Sequence, residues 1–85
     1  MAEKLRKDAR LGGKMQWYRK QCGLSQESAA AKLQVMGLSV SREMLSQMEL
    51  GRYSVPVDVL LALAEVYGIQ PEAFLQGLTF CPKQE

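Results

Sequence analysis

Gly23, Gly37, Gly51 and Gly68 stand 14, 14 and 17 residues apart, and each closes a stretch with apolar residues at helical spacing. Glycine readily takes the left-handed conformation in which helices end. Pro56 and Pro71 stand near the starts of later stretches, where a missing N–H costs least. No segment alternates polar and apolar residues as a half-buried strand does. The chain is therefore expected to be all-α, with five short helices. Helices this short are marginal alone and gain stability by packing an apolar face.

The first helix is expected from about Leu11 to Cys22, with a core stripe of Leu11, Met15, Tyr18 and Cys22 at intervals of four, three and four. Arg19 lies at the edge of that stripe, Lys14 and Lys20 lie off it, and Trp17 points to the opposite side. Such a tryptophan is either a partly covered surface residue or an interface anchor. Ser25 is placed as N-cap of a second helix, Gln26 to about Met36, with Ala29, Ala30, Leu33 and Met36 on its apolar face. The third, from Ser41 or Arg42 to Leu50, has a buried stripe of Met44, Leu45 and Met48. Its opposite arc carries Arg42, Glu43, Ser46, Gln47 and Leu50, with Glu49 at the border. By itself that pattern fits any solvated helix. The fourth helix, about Pro56 to Tyr67, packs Leu60, Leu63, Ala64 and Tyr67. A short fifth, about Pro71 to Gln76, offers Phe74 and Leu75. The expected organisation is a basic N-terminal extension over residues 1–10, one domain over 11–76, and a C-terminal tail over 77–85.

Several function classes fall away. At 85 residues and 47% apolar, the chain suits one small core. Its longest apolar run, Val59 to Ala64, is far short of the roughly 18 residues that mark a membrane span, so no membrane partner is expected. With no secretory segment recognised, a cytoplasmic location is expected. There is no histidine, which removes the commonest general base and metal ligand. Cys22 and Cys81 lie 59 positions apart and match no zinc spacing; Cys22 is expected to be a packed, reduced thiol. Gly12-Gly13-Lys14 fails as a phosphate loop, with Asp8 at the first glycine position and Met15 at the Ser/Thr position. No catalytic residue, metal site or cofactor is expected. Charge is divided unevenly: residues 1–52 carry ten Lys/Arg against five Asp/Glu, residues 53–85 one Lys against four. That suggests a basic face for a polyanion.

The segments Gly23-Leu24-Ser25-Gln26-Glu27 and Leu45-Ser46-Gln47-Met48-Glu49-Leu50-Gly51-Arg52 together resemble the phage-repressor and Cro-type helix-turn-helix family, also called the xenobiotic-response-element family. The resemblance continues through Pro56, Leu60, Leu63-Ala64 and Gly68-Ile69 to Phe74-Leu75. It implies a compact lambda-repressor-like domain with its helix-turn-helix at the second and third helices. It also implies sequence-specific binding of double-stranded DNA by a transcriptional repressor, with the third helix in the major groove. Arg42, Glu43, Ser46 and Gln47 become base-contacting residues; an arginine suits guanine and a glutamine adenine. Lys14, Gln26, Arg52 and Tyr53 become backbone contacts, joined by Lys4, Arg6, Lys7 and Arg10. Gln26 has a second option, bracing the third helix. Arg19 and Glu49 are expected to form a partly buried structural ion pair.

The family habit further implies a homodimer on a near-palindromic site, with an interface drawn from Val59, Leu61, Leu78 and Phe80. Gln26 and Leu45 are 19 positions apart, wider than the commonest family spacing. A longer second helix and a wider turn through Gly37-Leu38-Ser39 would absorb the difference. The alternative is a protein-interaction module, an antitoxin or adaptor that uses a protein partner and touches DNA weakly or not at all. It is favoured by the modest net charge and by Arg42 being the third helix's single basic residue.

Overall fold

The computed structural model describes residues 4–5 and 9–75, with side chains from Arg10 to Leu75. Four α-helices carry the fold: α1 Ala9–Gln21, α2 Gln26–Val35, α3 Arg42–Glu49 and α4 Val57–Tyr67. A 3-10 helix over Pro71–Leu75 follows, where a fifth α-helix was expected. A minimal antiparallel pairing, also unexpected, joins β1 (Lys4–Leu5) to β2 (Val55–Pro56), with Lys4 opposite Pro56 and Leu5 opposite Val55. Two-residue strands are too short for an alternation to be visible. α1 starts at Ala9, two residues before the expected boundary.

The four helices end alike. After α3, the Arg52 N–H donates to the Gln47 carbonyl at 2.9 Å and the Gly51 N–H to the Met48 carbonyl at 3.1 Å, which is a Schellman motif. Gly51 has φ 78°, a left-handed value that a residue with a Cβ takes only at a cost. The same pair of bonds closes α1, α2 and α4.

The core is built chiefly where α1 and α2 pack on α3 and where α4 packs on α2. Leu11, Met15, Leu33, Leu45, Leu63 and Phe74 are among its buried side chains. Phe74 closes one side by edge contacts with Tyr18, at 5.7 Å between centroids, and Tyr67, at 6.3 Å. Such aromatic pairs contribute about 0.5–1.5 kcal/mol beyond area burial.

Four expected core or surface positions need correction. Met44 is exposed, and the buried arc of α3 is Leu45, Met48 and Glu49. Met44 sits at the N-terminal edge of that arc, beside the turn. Met36 is exposed because α2 stops at Val35, so residue 36 leaves the helical stripe. Cys22 lies just past the end of α1 and is exposed, its thiol donating to the Tyr67 carbonyl at 3.4 Å. Val59 is 3% exposed and belongs to the core rather than to a dimer surface. α4 buries Val59, Leu60, Ala62, Leu63, Ala64 and Tyr67, which take up more than half of its circumference, and it exposes a stripe of Asp58, Leu61 and Glu65. Leu78, Phe80 and Cys81 lie outside the described residues.

Candidate nucleic-acid interface

α3 presents the polar arc. Ser41 caps it, with its Oγ accepting the Met44 N–H at 3.1 Å. Arg42 and Glu43 are exposed, while Ser46 and Gln47 are half-buried. At about 100° per residue, Arg42, Ser46, Glu43 and Gln47 span roughly 140° of the helix. Leu50 is exposed on the same side. The Arg42 guanidinium stands 3.5 Å from the Glu43 carboxylate. An exposed pair of this kind is worth little, so Arg42 is oriented without being held.

The back of α3 is held firmly. The Arg19 Nε donates to Glu49 Oε2 at 2.8 Å and its Nη2 to Oε1 at 3.1 Å, a forked pair of the geometry that makes arginine–carboxylate contacts strong. The remaining arm, Nη1, donates to the Leu24 carbonyl at 2.8 Å. Gln26, the first residue of α2, donates from Nε2 to Glu49 Oε1 at 3.0 Å. One carboxylate on α3 thus receives α1 and α2 together. The hydrogen bond to Glu49 outweighs burial and keeps the Arg19 guanidinium above its ordinary pKa, so Arg19 carries its positive charge into the buried contact. Burial also pushes the Tyr67 hydroxyl well above its ordinary value, with the Glu49 charge adding to it.

The wide connection of residues 36–41 is pinned at both ends. Leu38 packs half-buried on the core and Val40 is buried. The Gln34 amide donates to the Val40 carbonyl at 2.9 Å, fixing the approach to Ser41. Residue-type reasoning missed Gln34, because a glutamine in the last turn of a helix carries no distinguishing signal.

The other expected contacts divide. Arg52 and Tyr53 are exposed just past α3. The Gln26 amide is half-buried and keeps one N–H beyond the bond to Glu49. Lys14, by contrast, lines a shallow recess with Arg10, Gly13, Trp17 and Tyr18. A Cβ on Gly12 would meet the Met48 and Glu49 backbone, which marks the face of α1 turned to α3. Lys14 lies about 160° around the helix from Gly12, on the side away from α3. Trp17 shares that side, 56% exposed.

A helix-turn-helix family model matches residues 15–74. The chain belongs to the helix-turn-helix family. Its xenobiotic-response-element branch consists of DNA-binding regulators of transcription and is not an enzyme family. A solved structure of the same fold, the restriction-modification controller protein C.AhdI from Aeromonas hydrophila, superposes with a TM-score of 0.68 at 29% identity, over 78% of this chain and 88% of that one. Comparison with curated proteins finds no match. In helix-turn-helix terms, α2 and α3 are the motif, and the Arg19–Glu49–Gln26 cluster ties α3 to α1 and α2. No helix among the described residues is long and apolar enough to cross a membrane.

Proposed function

We propose that this helix-turn-helix protein is a sequence-specific repressor that lays α3 in the major groove of double-stranded DNA. The reading rests chiefly on one observation: α3 is clamped from behind through Glu49 while Arg42, Glu43, Ser46 and Gln47 face outward. A helix that reads bases must keep its side chains in register with base edges, and hydrogen bonds tolerate only a few tenths of an ångström. Arg42 takes a guanine and Gln47 an adenine, with Glu43 steering Arg42. Arg52, Tyr53 and the spare Gln26 N–H contact phosphates, which set position but carry no sequence information. Lys14 is left out of that set by its place on the far side of α1. The protein binds as a homodimer in the cytoplasm, on half-sites about one helical turn apart, with exposed Leu61 as the described residue that contributes to the dimer surface. Repression then requires only occupancy of the operator. Its likeness to a restriction-modification controller protein supports a role in gene control.

The test is selection of bound sequences from a random duplex pool at about 0.15 M salt. A two-fold symmetric consensus is expected. Arg42→Ala and Gln47→Ala should each relax a particular base position, by about 1–3 kcal/mol of discrimination. Affinity should fall with salt at a log–log slope of about −0.9 per phosphate contact. Enrichment of nothing by a folded protein would overturn the reading in favour of a protein-interaction module.

A further inference from the structure

We infer that Gly12 is a positioning residue for the recognition helix: its missing side chain sets the distance and tilt at which α3 is carried. The inference rests on the DNA-reading role proposed above for α3. Gly12 lies inside α1, where glycine is a poor helix former, and it does not terminate the helix. Its value is at the contact. A Cβ built on Gly12 would stand 2.6 Å from the Glu49 carbonyl carbon and 2.6 Å from the Met48 oxygen, and closer still to the Glu49 oxygen. These are backbone atoms, so no side-chain rotation relieves the overlap. A Cβ on Gly13, its neighbour in the same helix, would meet nothing within 4 Å, so the close approach is specific to residue 12.

Gly12 and Arg19 are seven positions apart, which is about two helical turns, and so share one stripe of α1. Both address Glu49. Arg19 holds its carboxylate, and Gly12 lies against its backbone. α1 therefore fixes the C-terminal end of α3 by an attraction at one point and a limit of approach at the other. Relaxing the 2.6 Å overlaps to ordinary contact at 3.4 Å needs a shift of at least 0.8 Å, and the closer Glu49 oxygen asks for more. Taken up at one end of an eight-residue helix, about 12 Å long, that is a tilt of about 4°. At Gln47, two residues from the displaced end, the shift is still about 0.6 Å, more than the whole width of the distance range for N–H···O hydrogen bonds.

The experiment compares Gly12→Ala with Gly13→Ala in the full chain. Affinities are measured for the selected operator and for a scrambled duplex, and the angle between α1 and α3 is measured by residual dipolar couplings. Gly12→Ala should change the interhelical angle and lower operator affinity at least about tenfold, the scale of one lost bidentate base contact. Affinity for the scrambled duplex should stay within about twofold, because phosphate contacts are insensitive to base register. Gly13→Ala should leave the angle and the specificity ratio unchanged. An unchanged angle and ratio in folded Gly12→Ala would overturn the inference. If Gly12→Ala does not fold, the substitution is repeated on the Gly13→Ala background, which favours the helix. Failure to fold there too would assign Gly12 to stability alone and also overturn it. If the wild-type chain selects no sequence, the DNA reading fails, and the interhelical angle still decides the role of Gly12.

Discussion

Removing the Glu49 carboxylate should be among the most damaging single changes in this domain. The Arg19 and Glu49 side chains are only 8% and 1% exposed. Glu49→Ala removes two hydrogen bonds from Arg19 and one from Gln26. The Arg19 cation keeps its bond to the Leu24 carbonyl but loses its counter-charge. A buried charge left in that state costs about 3–5 kcal/mol. Total stability for a chain of this size is about 4–13 kcal/mol, at ~0.05–0.15 kcal/mol per residue. The melting temperature should fall by more than about 12 °C, at roughly 4–8 °C per kcal/mol. Arg19→Met removes the charge while keeping most of the buried stem. It leaves the carboxylate with Gln26 and should also be strongly destabilising. The double variant Arg19→Met/Glu49→Ala leaves no unpaired charge, so its loss should be smaller than the two single losses combined by about 2–3 kcal/mol. Urea unfolding followed by Trp17 fluorescence measures all four proteins. Trp17 is the chain's single tryptophan, and it stacks edge-on against Tyr18 at 4.9 Å. The coupling should persist at about 1 M salt, since screening acts weakly on a buried pair. Additivity within about 0.5 kcal/mol would instead make the pair an incidental contact.

Two further outcomes are expected. Ser41→Ala removes the hydroxyl that accepts the Met44 N–H and should cost about 1 kcal/mol, fraying the turn that carries Arg42 and Glu43; unchanged amide exchange at Met44 would contradict this. The Tyr67 hydroxyl is buried without a hydrogen-bond partner among the described residues, so Tyr67→Phe should be neutral or stabilising by up to about 1–3 kcal/mol. Burial raises the folded pKa of Tyr67 above its unfolded value near 10. Its titration therefore leaves stability unchanged below about pH 10 and lowers it as pH rises from there towards the folded value, because the unfolded chain ionises first. Denaturant titrations between about pH 9 and 11 should show wild type losing stability more steeply than Tyr67→Phe; parallel curves would contradict the assignment.

Helix existence and order were legible because the signals are local. Ser25 and Ser41 accept backbone N–H groups at the helix starts, and a glycine follows each helix end. Both depend on a few consecutive residues. The helical repeat likewise put Leu11, Met15, Leu45 and Leu63 inside. Arg19 and Glu49, 30 positions apart, were pairable only because a family pattern links them. Periodicity located each merely at the border of a stripe.

An all-α chain, its punctuation, and a polar arc of Arg42, Glu43, Ser46 and Gln47 follow from local signals, because propensity, capping and periodicity act within a turn or two of helix. Which faces those helices share was left to the packing of the whole domain. That packing buried Val59 because the core covers more than half of the circumference of α4, and exposed Met44 because the first turn of α3 lies at the edge of the core. It set Lys14 on the face of α1 away from α3, and it paired two segments too short to show as strands. Gly12 makes the same point most sharply. In the sequence it belongs to a failed phosphate loop, and nothing local distinguishes it from Gly13. The difference arises where α1 crosses α3, because steric contact depends on distance in space and one glycine there meets a backbone while the other meets open space.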